Sequence, residues 1–211
     1  MGSGLRERKK QQTREAIAAA AMELFTERGF EAVTVAEVAQ EAEVSTATVF
    51  NYFPTKEDLF YSGLEVFEEA LLAAIRDRPK GESVLDAFSR FIIERSREGA
   101  SRDLGKRVAT TARIISASPA LLARERQIVA GYTESLASLI AEETGAPADD
   151  MRPRVVAGAL MAVHRALIEY ARRRALSGRS SSKLASELEA EGKRAFALLA
   201  EGLARYAVKA R

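Results

Sequence analysis

The stretch "VAQEAEVSTATVFNYFPTKEDLF", residues 38–60, determines how the rest of the chain is interpreted. It holds two short helical patterns joined by the tight turn Glu43-Val44-Ser45. The second pattern begins after Ser45, a preferred helix N-cap residue, and ends before Pro54, which disfavours helical backbone at the residue before it. Two short helices with such a turn predict a helix-turn-helix, although structural helical hairpins have the same shape.

The outward face of the second helix favours contact with DNA without excluding a structural hairpin. If Val49 and Phe53 point inward, Ala47 and Asn51 point away from the core. A solvated face normally carries charges, whereas this face is small and uncharged. An asparagine amide can bond the edge of adenine, and an alanine methyl can contact the methyl of thymine. The residues alone leave both alternatives open.

Composition excludes several kinds of site. The 211 residues include no cysteine and one histidine, which excludes disulfides and thiolate zinc sites. That histidine, His164, has Met161 three residues before it, so the Glu-x-x-His pattern of di-metal bundles is absent. No apolar window reaches the ~18 residues of a membrane span. We therefore expect a cytoplasmic protein that is not an enzyme, with no cofactor, no metal and no membrane partner.

Charge is distributed unevenly at the start of the chain. Residues 1–60 hold seven Lys/Arg and ten Asp/Glu, yet the segment 6–14 carries five basic residues and one acidic residue. Such a basic arm is either a solvated tail or a means of reaching phosphates or a minor groove. The acidic balance of residues 1–60 favours an alternative function, a helical ligand-binding or scaffold protein without sequence-specific DNA binding.

The whole chain is predicted to be all-α, because helix-forming residues are abundant and alternating β-branched runs are absent. A three-helix domain with the helix-turn-helix is expected at 1–54, and the remaining helices are expected to form a bundle at 55–211. About nine helices are expected, over residues 13–28, 34–42, 45–53, 55–77, 83–98, 102–116, 119–144, 153–176 and 182–208.

Two segments give a more specific indication. The runs "AAAMELFTERGFEAVTV" (19–35) and "TVAEVAQEAEVSTATVFNYFPTKEDLF" (34–60) resemble the N-terminal signature of the TetR family of bacterial transcriptional regulators. The resemblance covers roughly a quarter of the chain. Two positions depart from the family pattern: Glu43 stands where a turn glycine is usual, and Phe50 stands where many members have a phosphate-contacting tyrosine.

The resemblance implies a repressor that leaves a roughly palindromic double-stranded DNA operator when a small-molecule effector binds its bundle. In that interpretation Ala47 and Asn51 face bases, while Thr48, Tyr52 and Lys56 face phosphates. The full set of predicted DNA-binding residues is Lys10, Arg14, Thr34, Ser45, Thr46, Ala47, Thr48, Asn51, Tyr52 and Lys56.

The resemblance also implies a homodimer formed by the last two long helices and an effector pocket in the middle of the bundle. An intramolecular core would explain the same apolar residues equally simply. The predicted pocket residues are Arg113, Tyr132 and His164, each of which could instead be an ordinary bundle residue. The predicted dimer residues are Val156, Leu160, Val163, Leu167, Leu188, Phe196, Leu199 and Leu203.

Overall fold

The computed structural model describes residues 3–98 and 103–202. Those residues form helices without any strand, which confirms the all-α prediction, and they form ten helices where about nine were expected. The helices are α1 (Ser3–Arg28), α2 (Val35–Glu41), α3 (Thr46–Tyr52), α4 (Lys56–Phe60), α5 (Leu64–Arg76), α6 (Val84–Glu98), α7 (Leu104–Ser116), α8 (Pro119–Thr144), α9 (Arg152–Leu176) and α10 (Ser181–Ala200). The predicted continuation of the last helix to residue 208 lies outside the described residues.

The basic segment is helical, which corrects the expectation that the first helix begins at residue 13. Helix α1 begins at Ser3. Its first turns consist mainly of Arg, Lys, Gln and Glu, all good helix formers. Gln11 also donates a side-chain hydrogen bond of 2.8 Å to Glu15 one turn later. The basic side chains therefore lie at helical spacing on a continuous helix.

The prediction of a single helix over 55–77 is wrong. Helices α4 and α5 are separated by the turn Tyr61–Gly63. Gly63 has a φ of 89°, a left-handed backbone conformation that glycine adopts without steric cost and that no α-helix contains. Within the same compact unit, the Tyr61 hydroxyl donates to the carbonyl of Leu121 at 3.1 Å. The break therefore lies next to a tertiary contact.

The first of two compact units contains the helix-turn-helix. It consists of residues 1–65 together with 113–125, the end of α7 and the beginning of α8. Its core includes the tilted pair Phe25 and Phe30, whose ring centroids are 5.1 Å apart. The predicted boundary between residues 54 and 55 concerns function rather than packing and stays a prediction. The buried residues of this core are Ile17, Ala21, Phe25, Phe30, Val33, Val38, Ala39, Val49, Phe53, Leu59, Phe60, Ile114, Ile115 and Leu121.

Two polar contacts tie the α7–α8 corner into the first unit. Ser118 is buried, and its hydroxyl donates to Glu31 in the α1–α2 turn at 2.5 Å. Arg124 pairs with Asp58 at 2.7 Å. Asp58 in turn accepts the backbone N–H of Thr55, the N-cap of α4. The corner is thus bound both to the turn before α2 and to the first turn of α4.

The second compact unit consists of residues 66–112 and of the chain from residue 126 onward. Helices α6, α9 and α10 pack together in it, with Phe88 and Phe196 in an edge-to-face contact at 5.9 Å. A smaller cluster of Ala109, Ala171, Ala175 and Leu184 joins α7, α9 and α10. Among the described helices, none combines the length and the apolar character that a membrane crossing requires.

The turn between α2 and α3 contains backbone strain at Glu43. Its φ is 53°, the left-handed region in which a side chain costs about 1–2 kcal/mol. The turn holds this conformation through two backbone bonds, from Glu43 N to Gln40 O and from Val44 N to Ala39 O, at 3.1 and 2.9 Å. The residue that departs from the family pattern therefore occupies a position where glycine is the unstrained choice.

Replacing Glu43 with glycine is expected to raise the free energy of unfolding by about 0.5–1 kcal/mol. The relief of left-handed strain exceeds the extra chain entropy that glycine loses on folding. Chemical denaturation of the wild type, Glu43→Gly and the control Glu43→Gln measures the difference. The control retains the strain and should match the wild type, and a Glu43→Gly variant no more stable than the control would contradict the explanation.

Candidate nucleic-acid interface

A reciprocal cap fixes the start of α2. The Thr34 hydroxyl accepts the backbone N–H of Glu37, and the Glu37 carboxylate accepts the backbone N–H of Thr34 at 2.8 Å. Arg28 adds a bond of 2.7 Å to the same carboxylate. These bonds, the backbone bond from Thr34 first, lower the pKa of Glu37 to about 2. Thr34, a predicted DNA-binding residue, is exposed, and its side chain is engaged in this cap.

Helix α3 is held by a cap at its start and by burial of its inner face. The Ser45 hydroxyl accepts the backbone N–H of Thr48 at 3.0 Å, which confirms the predicted N-cap. The Ser45 and Thr48 hydroxyl oxygens are also 2.8 Å apart. Val49 is fully buried and Phe53 is almost fully buried. Both ends of this two-turn helix therefore have a fixed position on the core.

The opposite face of α3 is exposed and carries no charge. Thr46, Ala47 and Asn51 are exposed, and Phe50 has 48% of its surface accessible. The structure thus orients Ala47 and Asn51 as the helical spacing predicted. A face of one amide, one hydroxyl, one methyl and one ring can approach base edges closely without first removing a charged group from water.

The basic half of α1 lies beside α3 and forms a cleft with it. The first turns of α1 line one wall with three basic side chains and one carboxylate, and α3 lines the other wall, which includes Asn51. A duplex held against α3 would therefore meet positive charge at the edge of the contact, where phosphates lie. The residues that line the cleft are Arg6, Glu7, Lys9, Lys10, Thr13, Thr48, Asn51 and Tyr52.

Four of these lining residues were absent from the predicted site: Arg6, Glu7, Lys9 and Thr13. The signal that could have identified them is helical spacing. Positions 6, 7, 9, 10 and 13 continue toward the N-terminus the same side of the helix that buries Ile17. The continuity was missed because the segment was interpreted as an arm that precedes the first helix.

Two predicted DNA-binding residues have intramolecular partners, and neither lines the cleft. Arg14 donates to the carbonyl of Tyr52 at 3.0 Å, and its guanidinium lies 4.6 Å from the centroid of the Phe53 ring. Lys56 donates to the carbonyls of Phe30 and Val33 at 2.7 and 2.9 Å. These bonds occupy two of the three ammonium N–H donors of Lys56. These bonds hold α3 and the α1–α2 turn in place, and the assignment of both residues to DNA stays a prediction.

Two of the predicted pocket residues meet in the second unit. The rings of His164 and Phe67 are stacked, with centroids 5.2 Å apart and planes at 15°, and Tyr132 lies 5.9 Å from Phe67 at 29°. Phe67, which joins them, was missed because a phenylalanine on a helix looks like an ordinary core residue. Arg113 is exposed and belongs to the first unit, and its place in the pocket stays a prediction.

The predicted dimer residues divide into two groups. Leu160, Leu167 and Phe196 retain between 2% and 8% of their surface, so they are buried within one chain, and their placement at a dimer interface stays a prediction. Val156 is 40% exposed, whereas Val163, Leu188 and Leu199 are partly buried. Leu203 lies outside the described residues.

Comparison with known proteins agrees with this arrangement. Residues 17–62 match the family model described as "Bacterial regulatory proteins, tetR family", and residues 82–204 match the "MftR C-terminal domain". The HTH-type transcriptional regulator TcmR of Streptomyces glaucescens is 35% identical over 169 residues, which cover 78% of this chain and 75% of that protein. A putative mycofactocin biosynthesis transcriptional regulator, MftR of Mycobacterium tuberculosis, is 25% identical over 77% of this chain and 81% of its own length.

A solved structure shows the same arrangement of helices. The TetR family transcriptional repressor FadR of Thermus thermophilus, in complex with lauroyl-CoA, aligns with a TM-score of 0.55 at 26% identity. The alignment covers 94% of this chain and 98% of that one. The similarity therefore extends over both the helix-turn-helix and the helices that follow it.

The burial of His164 leads to a prediction about pH. Desolvation lowers its pKa from 6.5 to about 4, because the charged imidazolium is disfavoured in its partly buried site. Between pH 6.5 and 4 the unfolded chain then binds more protons than the folded chain, so the contribution of His164 to stability is complete above pH 6.5 and declines as the pH falls. A proton NMR titration of the untagged protein, whose one histidine gives one set of imidazole signals, measures the pKa directly.

A His164→Phe variant serves as the control for stability. Between pH 6.5 and 4, the unfolding temperature of this variant should decline less than that of the wild type. An imidazole that titrates near pH 6.5 in the folded wild type would show that the site does not desolvate it.

Proposed function

The chain belongs to the tetR family of bacterial regulatory proteins, and we propose that it is a transcriptional repressor released from a palindromic operator by a small molecule. As a family member it is a DNA-binding transcriptional regulator. The observation that carries the more specific proposal is the exposed, uncharged face of α3 beside the basic turns of α1. We place its action in the cytoplasm, where chromosomal DNA is accessible, and propose no catalytic activity.

The geometry of α3 supports a division between base and phosphate contacts. Asn51 and Ala47 face outward from a helix two turns long, a size that fits the major groove. Phosphate contacts come from Lys10 and Arg6 on α1, and from Tyr52 at the edge of the cleft. Lys56 and Arg14 support this surface from behind through their bonds to backbone carbonyls.

A homodimer would present two copies of α3 to the DNA. Exposed apolar side chains on α9 and α10 support a contact between second units, since large apolar groups in water favour burial. A two-fold dimer places two recognition helices on successive major grooves, which is why the proposed operator is palindromic. These exposed side chains are Met151, at the start of α9, Val155, Val156 and Leu198.

The chain connectivity provides a route from effector to DNA. Helices α7 and α8 each have one end in the first unit and the rest in the second, and α4 is joined to α5 by the three-residue turn at Gly63. We propose that an effector in the second unit shifts these helices and thereby moves α4 through the Arg124–Asp58 pair and the Tyr61–Leu121 bond. The two copies of α3 would then no longer match the spacing of the half-sites.

Binding of the purified chain to the DNA upstream of its own gene tests the proposed function. Specific binding should weaken steeply with salt, since log K falls with log salt by about 0.9 per phosphate neutralised. Absence of binding to any upstream fragment, at low salt and with the fold intact, would contradict the proposal and favour a helical ligand-binding protein.

Replacing Asn51 with alanine is expected to cost about 1–3 kcal/mol at the cognate operator and to relax the preference at one base step, because an amide contact to a base edge is lost. Fluorescence binding to the operator and its single-base variants measures both effects. Gln40→Ala is the matched control: Gln40 is exposed on α2 and does not line the cleft, so base preference should not change. If the base preference of Asn51→Ala is the same as that of the wild type, the proposal that α3 reads bases in the groove is contradicted.

Replacing Lys10 with alanine is expected to weaken binding to all sequences alike and to reduce the salt slope by about 0.9, the value for one phosphate contact. Lys56→Ala, by contrast, should act mainly by lowering stability, because its ammonium bonds Phe30 and Val33. Titrations at several salt concentrations, with unfolding curves for both variants, separate the two effects. Equal slopes for the wild type and Lys10→Ala would exclude Lys10 as a phosphate contact.

A further inference from the structure

Four helices of the second unit contribute side chains to one aromatic cluster centred on Phe67. Phe67 lies on α5, Phe91 on α6, Tyr132 on α8 and His164 on α9. The centroids of the three neighbouring rings lie 5.2–5.9 Å from the centroid of Phe67. Two of the rings, those of His164 and Tyr132, are close to parallel with it, an arrangement that favours offset stacking.

The cluster is buried at its base and accessible at its edge. Phe91 and Tyr132 retain 9% and 7% of their surface, whereas Phe67 and His164 are partly exposed. The Phe67–His164 stack is therefore the part of the cluster that solvent reaches. Apolar walls with a few polar groups at fixed positions are the usual composition of small-molecule sites.

Charge at this edge selects between classes of aromatic ligand. The exposed Arg95 on α6 places its guanidinium carbon 6.0 Å from the centroid of Phe67. Aromatic clusters can also hold organic cations, but a cation here would meet the positive charge of Arg95. An anionic group would instead meet a guanidinium with several N–H donors, which suits the two oxygens of a carboxylate.

The His164 imidazole adds polar atoms to the cluster without adding a charge. Its lowered pKa, caused by burial, keeps His164 neutral near pH 7. The ring can then stack as an aromatic and offer one donor and one acceptor. A metal ion is not supported, since no group of three His, Cys, Asp or Glu residues able to hold one occurs among the described residues.

We propose that this cluster binds a planar aromatic ligand carrying an anionic group, with the ligand ring extending the stack of Phe67 and His164 and the anionic group bonded to the guanidinium of Arg95 in addition to the contacts that Arg95 makes within the chain. This inference rests on the proposed function, since it names the class of effector for that regulator. It also assigns two separable tasks: Phe67 and His164 recognise the flat ring, and Arg95 recognises the charge.

Three probes of similar bulk separate these tasks. Anthracene-9-carboxylate has both features, adamantane-1-carboxylate has the charge without the flat ring, and anthracene-9-carboxamide has the ring without the charge. We expect anthracene-9-carboxylate to bind the untagged protein about tenfold more tightly than either partner, as one good stacking contact or one ionic hydrogen bond would provide. Bound anthracene should also shift the imidazole proton signals of His164 upfield, because that ring would lie against it.

Variants assign the contributions to residues. Phe67→Leu keeps an apolar side chain and should abolish the preference for anthracene over adamantane. Arg95→Gln should abolish the preference for carboxylate over carboxamide. Arg90→Gln is the matched control, because Arg90 lies on the same helix and is paired with Glu82, so it should change neither preference.

The outcomes distinguish this inference from the proposed function. Equal affinity for the three probes, no movement of the His164 signals, or wild-type preferences in Phe67→Leu and Arg95→Gln would each overturn the aromatic-anion site. Operator binding by the same preparation is measured separately. If the protein binds its operator but shows none of the expected probe preferences, the proposed regulatory function is retained and only the proposed ligand class is wrong.

Discussion

The central constraint in this structure is the set of contacts that fix the position of α3, a helix of seven residues. Helix α3 is too short to be stable in water by its own hydrogen bonds, because helix nucleation is costly and isolated helices of this length do not form. Its position comes instead from the Ser45 cap, from burial of Val49 and Phe53, and from the Arg14 bond at its last turn. Because the inner face and both ends are fixed from within, the outer face is left for a partner.

The same supports connect α3 to the rest of its unit. Lys56 bonds the α1–α2 turn, Asp58 caps α4 and pairs with Arg124, and Ser118 bonds Glu31. The α7–α8 corner therefore contacts both turns that flank the helix-turn-helix. A regulator needs two arrangements that a ligand can favour differently, and in the proposed mechanism these contacts are the ones that change.

The sequence predicted the helix-turn-helix well because its signals are local. The caps at Thr34 and Ser45 and the buried Val49 each follow from residue type at fixed spacing. The left-handed turn at Glu43 was indicated by the family resemblance, which has glycine there. The break at Gly63 was missed because the apolar pattern continues across it. The intramolecular partners of Arg14 and Lys56 depend on tertiary packing, which residue type and the family resemblance do not reveal. Likewise, a leucine on an apolar helix does not reveal whether its neighbour belongs to the same chain or to a second copy.

The central claim is that the outer face of α3 lies against base edges in the major groove. A structure of the chain bound to a fragment from upstream of its own gene tests it most directly. The account predicts the Asn51 amide within hydrogen-bond distance, about 3 Å, of a base edge, with the basic turns of α1 against the flanking phosphates. A complex in which α3 faces solvent, or in which Asn51 contacts only phosphate, would contradict it.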